Sequence, residues 1–211
     1  MIQEISGAVS SYFHEELDQM HKIRYRVFKE RLDWQVNVRG NLEIDHFDDL
    51  NPVYLLRRNV GGMIDGCVRL LPSQGPNMLR DVFPFLCNGK IPSDPRIWES
   101  SRFCLDTSTM EPGKAATRTL SNGTFELLLG VIETGLAHGL THILTVTDAR
   151  MERILARAGW PLERIGEPTK IGETIAVAGL LETSREALGR VRSFAGISAP
   201  VLWRVAIQEA A

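Results

Sequence analysis

The sequence predicts an α/β fold, a three-layer α-β-α sandwich with a mixed sheet. Apolar residues recur every three or four positions between Tyr12 and Leu32, which is typical of an amphipathic helix. The first half of the chain is rich in hairpin signals, and the second half alternates helical and strand patterns. With 211 residues, 44% of them hydrophobic, the chain can bury a core, and we predict a single domain over residues 1–211.

The first half is predicted to contain a strand, a helix, a loop and a hairpin. MIQEIS gives the strand and residues 12–32 give the helix, which places Arg24 one turn before Phe28. The polar stretch from Trp34 to Asn51 has little periodicity and is predicted to be a long loop, a kind of segment that is more often functional than idle. PVYLLRR and MIDGCVRLLP then predict a β-hairpin.

The second half supplies strands and helices in alternation. IWESSRFCLDT predicts a strand whose alternation puts Glu99 and Arg102 on opposite faces unless a bulge intervenes. A helix is predicted from about residue 115 to 138, and THILTVT is a buried β-branched strand. Asp148 is predicted to cap a helix that runs to Ala158. GETIAVAGLL and VLWRVAI are the last two predicted strands.

Composition excludes several classes of protein. A net charge of −2 argues against a nucleic-acid partner. The three cysteines, Cys67, Cys87 and Cys104, have no metal-ligand spacing, so we predict reduced buried thiols, no metal and a cytoplasmic location. The densest apolar run, residues 127–132, is too short to span a bilayer, so no membrane span is predicted.

Polar and aromatic residues concentrate before position 103, and together they could hold one ligand. Such a ligand would carry an aromatic ring, a positive centre and a carboxylate. Charged side chains rarely lie so near apolar runs unless they pair with each other or with a ligand. The residues are Arg24, Phe28, Trp34, Asp45, Asp48, Arg69, Glu99 and Arg102.

Each of these groups also has a plain structural interpretation. Asp45 and Asp48, with Glu43 close by, could counter a sulfonium or ammonium group, or form an ordinary solvated acidic loop. Phe28 and Trp34 could hold an adenine ring or a cation, or belong to the core. The arginines could clamp a carboxylate, because guanidinium is a planar fork, or pair structurally with the acids.

The eight residues, in this order and spacing, resemble the signature of the acyl-homoserine-lactone synthases, the LuxI-type autoinducer synthases, with the TraI-type synthases of rhizobial bacteria as the nearest group. The blocks MHKIRYRVFKERLDW, GCVRLLP, WESSRFCLDTS and ERILARAGWPLERIGEPTKIGETIAVAG carry the resemblance, which extends to about Leu181. It implies a fold like the GNAT acetyltransferases. It also implies production of a quorum-sensing signal: a fatty acyl group passes from acyl carrier protein to the amine of S-adenosylmethionine, and lactonisation then releases methylthioadenosine.

The resemblance further implies roles in the N-terminal part. S-adenosylmethionine is a substrate there, and no cofactor is implied. Glu99 is the best candidate general base, although it could equally be a satisfied salt-bridge partner. The other catalytic candidates orient the substrate or build its pocket: Arg24, Asp45, Asp48, Arg69 and Arg102. The adenosylmethionine pocket is implied to involve Phe28, Trp34, Arg24, Asp45 and Arg102.

The C-terminal part is implied to hold the acyl tunnel and to dock the carrier protein. Thr145 matches a threonine that often accompanies 3-oxo chains in this family; the alternative is a buried strand threonine satisfied by backbone. Arg150, Arg153 and Arg157 form one basic stripe that could dock an acidic carrier protein or could simply be solvated. The predicted tunnel walls are Met78, Phe103, Phe125, Leu128, Leu144, Thr145, Val146 and Ala178.

Two alternative functions stay open from the sequence. The first is a related synthase that takes its acyl group from acyl-coenzyme A. The second is a binding module that senses adenosylmethionine or an acyl lactone without turnover, which would release no methylthioadenosine.

Overall fold

The computed structural model describes residues 1–107 and 122–204, which divide into two compact units. Of the described residues, unit 1 comprises 1–69, 102–107, 122–130 and 201–204, and unit 2 comprises 70–101 and 131–200. Two strands and one helix contribute residues to both units. The single functional domain expected from the sequence stays a prediction.

The elements follow the chain in a mixed α/β order. Within the described ranges the strands are β1 (Ile2–Ile5), β2 (Val38–Arg39), β3 (Leu42–Glu43), β4 (Val53–Arg58), β5 (Ile64–Pro72), β6 (Ile97–Leu105), β7 (His142–Asp148), β8 (Glu163–Arg164), β9 (Thr169–Ile171), β10 (Thr174–Glu182) and β11 (Leu202–Arg204). The α-helices are α1 (His14–Arg24), α2 (Met78–Asp81), α3 (Asn122–Ala137), α4 (Ala149–Arg157) and α5 (Arg185–Ala195). Short 3-10 segments cover Gly7–Tyr12, His46–Leu50 and Pro84–Cys87, and a π-helical segment covers Tyr25–Arg31.

The sheet of unit 1 is mixed and lies between two helices. β1 pairs in parallel with β11 and antiparallel with β4. Ile5 packs in one apolar cluster with Met20 and Ile23 of α1. Ile2 points to the opposite face, because it lies three positions, an odd number, from Ile5 in the strand. A Cβ atom added at Gly130 of α3 would lie 2.9 Å from Ile2 Cγ2, so α3 covers that second face. These contacts give the three predicted layers.

Unit 2 has its own mixed strand pairing. β6 and β7 are parallel, with Ile97 opposite His142, whereas β7 and β10 are antiparallel. β8 and β9 both pair with β10. The Asp148 carboxylate accepts a hydrogen bond of 2.6 Å from Met151 N, which confirms the predicted N-cap of α4.

The predicted helix over residues 12–32 is wrong at both ends. Its first residue belongs to a 3-10 segment, and α1 ends at Arg24. The following residues are π-helical, with Leu32 N donating to Val27 O, five residues back, at 3.1 Å. Apolar spacing cannot distinguish the wider π turn from the α turn over so short a stretch. π segments are frequent at functional sites.

The segment from Trp34 to Asn51 was predicted to be one long loop, but it contains short regular elements. It contains the two-residue strands β2 and β3, paired antiparallel, and the 3-10 segment His46–Leu50. Its low hydrophobic periodicity reflects elements too short to show a repeat.

Helix α5 was not predicted, although its sequence carries ordinary signals. Ser184 Oγ accepts from Ala187 N at 3.0 Å, as an N-cap does, and Gly196 follows the last turn with a φ of +69°. Ala187 and Val191 are buried one turn apart. The predicted helix residues 115–121 and strand residues 205–207 lie outside the described residues.

Helix lengths bear on membrane crossing. α3, with 16 residues, is the longest helix within the described ranges, and Leu127, Leu129 and Ile132 are fully buried on it. Its apolar run is therefore core. In those ranges no helix combines the length and the apolar character that a membrane crossing needs.

Candidate active site

Six charged side chains of unit 1, four of them on buried residues and two on partly buried ones, form a closed ring in which arginines and carboxylates alternate. In order around this ionic ring the members are Arg24, Glu43, Arg102, Asp45, Arg69 and Asp48. Asp48 Oδ1 accepts from Arg24 Nη1 at 2.7 Å and from Arg69 Nη1 at 2.8 Å. Asp45 accepts from Arg69 Nη1 at 2.6 Å and from Arg102 Nη2 at 2.6 Å. Each aspartate thus joins two arginines.

Glu43 closes the ring between the remaining two arginines. Its Oε2 accepts from Arg24 Nε, and its Oε1 accepts from Arg102 Nε at 3.1 Å and Nη2 at 3.0 Å. The Glu43 side chain is completely buried. Such a buried carboxylate is stable only when its charge is compensated and its oxygens are hydrogen-bonded.

A capping box explains the spacing of the two aspartates. Asp45 precedes the 3-10 segment His46–Leu50, and its Oδ1 accepts from Phe47 N at 2.9 Å. Asp48 Oδ2 accepts in return from Asp45 N at 2.9 Å. This reciprocal arrangement needs two acidic or polar residues three positions apart. The backbone therefore turns both carboxylates toward the arginines.

The ring compensates its own charge, with three positive and three negative members. Burial alone would raise the pKa of Asp48, but the hydrogen bonds and charge of Arg24, with the charge of Arg69, hold it well below its usual range. Burial would likewise lower the pKa of Arg24, and its bonds to Asp48 and Glu43 instead keep it well above its usual value. Of the two interpretations left open for the arginines, structural pairing with the acids is present.

An aromatic stack leads from the ring toward solvent. The Arg102 guanidinium carbon lies 5.7 Å from the centre of the Phe28 ring. Phe28 stacks on Trp34, with ring centres 5.3 Å apart and planes 13° apart. Phe28 is buried, whereas Trp34 is 48% exposed. Arg102 is the most exposed arginine of the ring, with 11% of its side chain accessible against none for Arg24 and Arg69.

Three residues at this site have no predicted role. Glu43 was noted only as a neighbour of the aspartates. Tyr54, buried on β4, donates from its hydroxyl to Asp48 Oδ1 at 2.7 Å, and burial together with the Asp48 charge raises the pKa of that hydroxyl. His21 Nδ1 lies 2.9 Å from the Glu43 carbonyl oxygen, and burial and the Arg24 charge lower the pKa of its imidazole. For these three residues, the sequence contains one signal, which is that the acidic residue Glu43 lies two positions before Asp45.

Glu99 is described within unit 2, where it is almost completely buried on β6. Its Oε1 accepts from Leu79 N at 2.8 Å, so the carboxylate holds the first turn of α2. Asn77 caps the same helix by accepting from Arg80 N at 3.0 Å. Farther along β6, Arg102 has a φ of +54°, which is the irregularity that the strand alternation left open.

The apolar tunnel candidates of unit 2 largely pack together. Leu144, Val146 and Ala178 belong to one apolar cluster, and Met78 is half-buried. The fully buried partners in that cluster include Leu79, Leu86 and Cys87. The remaining apolar candidates lie in unit 1: Phe103, Phe125 and Leu128. Their role as tunnel walls stays a prediction.

Thr145 has its hydroxyl engaged within unit 2. Thr145 Oγ1 donates to the Ser100 carbonyl at 3.3 Å and accepts from Ser100 Oγ at 3.2 Å. A threonine satisfied by backbone is thus what the structure contains. A 3-oxo group would have to replace the Ser100 carbonyl as the acceptor of this proton.

The basic stripe on α4 is exposed to solvent. Arg150, Arg153 and Arg157, hereafter the α4 arginines, are all exposed, while Leu155 of the same helix is buried. Within residues 1–107 and 122–204, none of the three forms an ion pair. Three positive charges on one helix therefore face solvent without an ion pair to a described residue.

The cysteines agree with the predicted reduced thiols, since all three are free and buried. Cys67 Sγ lies 3.5 Å from Cys104 Sγ in the core of unit 1. Across the part of the chain that the structure describes, no three or more His, Cys, Asp or Glu side chains are grouped to hold a metal ion.

The mixed α/β fold is also found in a solved structure of another protein. A protein assigned as an N-acetyltransferase from Lactobacillus plantarum superimposes with a TM-score of 0.54 over 87% of this chain and 99% of its own, at 14% identity. At that identity the likeness concerns the fold alone. It agrees with the GNAT-like fold expected from the sequence.

The comparisons also identify the family. A sequence model described as autoinducer synthase matches residues 9–191. A probable acyl-homoserine-lactone synthase of Sinorhizobium fredii is 47% identical over 173 residues, 82% of each chain. An acyl-homoserine-lactone synthase of Agrobacterium fabrum is 44% identical over 196 residues, 92% of each chain. The chain belongs to the autoinducer synthase family and is an acyltransferase.

A solved structure extends the comparison. The CoA-dependent acyl-homoserine lactone synthase BjaI, determined with SAM and isopentyl-CoA, has a TM-score of 0.85 at 25% identity, over 99% of this chain and 94% of its own. The Agrobacterium and Sinorhizobium relatives agree with the predicted likeness to the rhizobial TraI-type synthases.

Proposed function

We propose that this acyl-homoserine-lactone synthase transfers a fatty acyl group from acyl carrier protein to the amine of S-adenosylmethionine and then closes the lactone ring. The products are an N-acyl-homoserine lactone, methylthioadenosine and free carrier protein. Medium to long chains, with 3-oxo chains included, are the proposed acyl groups. No cofactor beyond the two substrates enters this proposal, and the cytoplasm is the proposed location.

The first step is acyl transfer to nitrogen. The α-amine of S-adenosylmethionine attacks the thioester carbon, so that a nitrogen–carbon bond forms and the carbon–sulfur bond of the thioester breaks. The carrier thiolate leaves, and the proton of the amine passes to the Glu99 carboxylate, directly or through a water. A positioned carboxylate is suited to this general-base role.

The second step is an intramolecular displacement. One oxygen of the methionine carboxylate attacks the γ-carbon, and the bond from that carbon to the sulfonium sulfur breaks. Methylthioadenosine leaves as a neutral thioether, so this step needs correct positioning more than acid catalysis. The ring arginines, with Arg102 foremost, are the proposed positioning groups.

The observation that carries the proposal is the ionic ring itself. Five of the eight signature residues belong to it, as expected if they serve one substrate: Arg24, Asp45, Asp48, Arg69 and Arg102. Its most exposed arginine lies over Phe28, and Phe28 in turn lies against the exposed Trp34. A stacked indole attracts cations and aromatic rings alike, and S-adenosylmethionine carries both.

The α4 arginines support acyl carrier protein as the donor. Acyl carrier protein is strongly acidic, and three exposed arginines on one helix would attract it. Acyl-coenzyme A is the second candidate donor, favoured by the likeness to the CoA-dependent synthase BjaI.

A donor comparison tests the function. Purified protein is mixed with S-adenosylmethionine and a series of acyl groups, each supplied either on carrier protein or on coenzyme A. Methylthioadenosine release and lactone mass are measured. We expect both products, with a higher kcat/KM for carrier-linked donors. A higher value for coenzyme A donors would replace the proposed donor, and absence of both products with every donor would reject the proposed reaction.

Glu99→Gln tests the proposed base. The amide oxygen of glutamine still accepts from Leu79 N, so α2 keeps its anchor, but the side chain can no longer take a proton. We expect kcat to fall at least about a hundredfold, with S-adenosylmethionine affinity by calorimetry unchanged. Full activity in a folded variant would reassign the base.

A further inference from the structure

Glu43 is the member of the ionic ring that lies outside the eight signature residues. It is a fully buried acid at the end of the two-residue strand β3. A carboxylate in such a place is costly unless its partners repay its desolvation. Both oxygens are occupied, and each is occupied by a different arginine.

The two arginines that Glu43 joins have different surroundings. Arg24 is fully buried at the end of α1, whereas Arg102 is partly accessible and lies over Phe28. Glu43 Oε1 accepts hydrogen bonds from both Arg102 Nε and Arg102 Nη2, so it holds that edge of the guanidinium. Asp45 Oδ2 accepts from Arg102 Nη2 at 2.6 Å, at one end of the edge that Glu43 holds.

The backbone of Glu43 is held as firmly as its side chain. Its carbonyl oxygen lies 2.9 Å from His21 Nδ1 on α1. Val38 is the register partner of Glu43 in the small β2–β3 sheet. Because both the backbone and the side chain of Glu43 are held, the position of its carboxylate against Arg102 is well defined.

We propose that Glu43 is a positioning residue for S-adenosylmethionine: it closes the ionic ring and sets the Arg102 guanidinium in place against Phe28. This inference rests on the function proposed above. It assigns no proton transfer to Glu43, which acts through Arg102.

Substitution of Glu43 by glutamine or by aspartate changes different properties of the side chain. Glutamine has a single acceptor oxygen, so in Glu43→Gln one arginine must face an NH2 group, donor against donor. The ring then also carries one uncompensated positive charge. Glu43→Asp keeps the charge but is one methylene shorter, so it cannot reach both arginines.

The experiment measures KM for each substrate separately, with melting temperature beside it. For Glu43→Gln we expect KM for S-adenosylmethionine to rise about tenfold or more, while KM for the acyl donor changes less than about twofold. The reason is that loss of one partner of a buried charge pair disturbs the group that this partner orients, which here is Arg102. For Glu43→Asp, which keeps the charge but loses one of the two arginines, we expect a melting temperature between those of wild type and Glu43→Gln, with the S-adenosylmethionine KM still raised. Unchanged KM values in a folded Glu43→Gln variant, or equal rises in both, would overturn the inference. Full recovery by Glu43→Asp would overturn it too.

A matched control comes from the same unit. Glu126 also joins two cationic groups, Arg57 Nε at 2.8 Å and the amino group of Met1 at 3.2 Å, but it is not in the ring. Glu126→Gln should leave both KM values at wild type. If it raised the S-adenosylmethionine KM as Glu43→Gln does, the effect would be a general one of lost acids and the inference would fail.

Folding failure has its own test. If Glu43→Gln does not fold, Glu43→Gln combined with Arg102→Gln restores the charge balance and is compared with Arg102→Gln alone. Equal KM values for S-adenosylmethionine support action through Arg102. A higher KM in the double variant, or a double variant that fails to fold when Arg102→Gln folds, would overturn it.

Failure of the proposed function is distinguished in the same series. The wild-type protein is assayed first for lactone and methylthioadenosine. If it forms neither with any donor, the reaction is wrong, and the calorimetric dissociation constant for S-adenosylmethionine replaces KM. A weaker constant in Glu43→Gln would still support the positioning role, and an unchanged one would overturn it.

Discussion

The ionic ring and the α4 arginines use the same side chain in opposite surroundings. Arg24 and Arg69 of the ring are fully buried, and each donates hydrogen bonds to two carboxylates. Arg150, Arg153 and Arg157 are exposed, and within the described part of the chain they form no ion pairs. The ring has no charge left over, whereas the helix presents three charges to solvent.

The difference separates positioning from attraction. A buried ion pair holds its groups in fixed geometry and is screened little by salt, but it fails badly when one partner is removed. Exposed charges hold nothing in place, act over roughly a Debye length of about 8 Å at physiological salt, and weaken as salt rises. Salt and substitution should therefore affect the two regions in opposite ways.

Asp48→Asn should give the largest effect. Asp48 accepts from Arg24, Arg69, Tyr54 and the Asp45 amide, and asparagine can satisfy only part of that set. Breaking one partner of a buried pair costs about 3–5 kcal/mol. We expect the free energy of unfolding, from urea titration, to fall by that amount, with little dependence on salt.

An exposed acid of unit 1 provides the control. Asp18 pairs with Lys22 at 2.6 Å on α1, and both side chains are more than 40% exposed. Asp18→Asn should cost less than about 0.5 kcal/mol, as is usual for surface pairs one turn apart. Equal losses in the two variants would mean that burial of the ring adds nothing.

Acid titration sharpens the same contrast. The pKa of Asp48 is lower in the folded than in the unfolded protein. The Asp48 carboxylate therefore contributes fully to stability at pH values above its pKa in the unfolded protein, about 3.9. That contribution falls as the pH drops from there toward the folded pKa. The difference in unfolding free energy between wild type and Asp48→Asn should therefore be constant from pH 7 to 5 and shrink below pH about 4. A difference that grows on acidification would contradict the assignment.

Charge reversal on α4 should have an intermediate effect. Arg153→Glu with Arg157→Glu should raise KM for a carrier-linked donor about tenfold at low salt, with kcat and stability nearly unchanged. Added salt should raise the wild-type KM and shrink the difference between the two proteins. Steady-state kinetics at several salt concentrations measure both.

A matched pair of reversals tests position rather than charge. Arg96 and Lys170 are exposed residues of unit 2 outside α4, and Arg96→Glu with Lys170→Glu changes the net charge equally. This control should raise the donor KM less than about threefold, because general repulsion acts weakly without a docking contact. Equal effects would remove α4 as the docking site.

Much of the fold could be predicted because it depends on patterns of ordinary length. The strand at MIQEIS, the Asp148 cap and the mixed sheet follow from alternation and capping chemistry. The π segment after Arg24 and the two-residue strands β2 and β3 were missed, since neither leaves a distinct hydrophobic repeat. Helix α5 was missed although its cap and spacing were readable.

The candidate site was predictable as a set of residues but not as a network. Charged residues near apolar runs indicated burial and pairing, and five of them do pair. Which acid joins which arginine depends on a π segment, a capping box and a left-handed residue at Arg102, which sequence spacing does not reveal. Glu43 was missed because the arginines that it contacts lie 19 or more positions away in the sequence. Tyr54 was missed because it joins the network through a neutral hydroxyl rather than a charge.

Tyr54→Phe should have the smallest effect, and it asks whether neutral donors matter in a ring of charges. The variant keeps the aromatic ring, which packs in the apolar cluster with Met20, Ile23 and Phe28, and removes only the bond to Asp48 Oδ1. Because Asp48 keeps its other donors, we expect a loss of about 1 kcal/mol in unfolding free energy and less than about a fivefold loss in kcat/KM.

Tyr25→Phe, on the π segment and outside the ring, is the control and should change neither quantity measurably. A loss as large as that of Asp48→Asn would mean that the hydroxyl, rather than the arginines, holds Asp48 in place. The contrast between buried pairing and exposed charge would then need a third, neutral component.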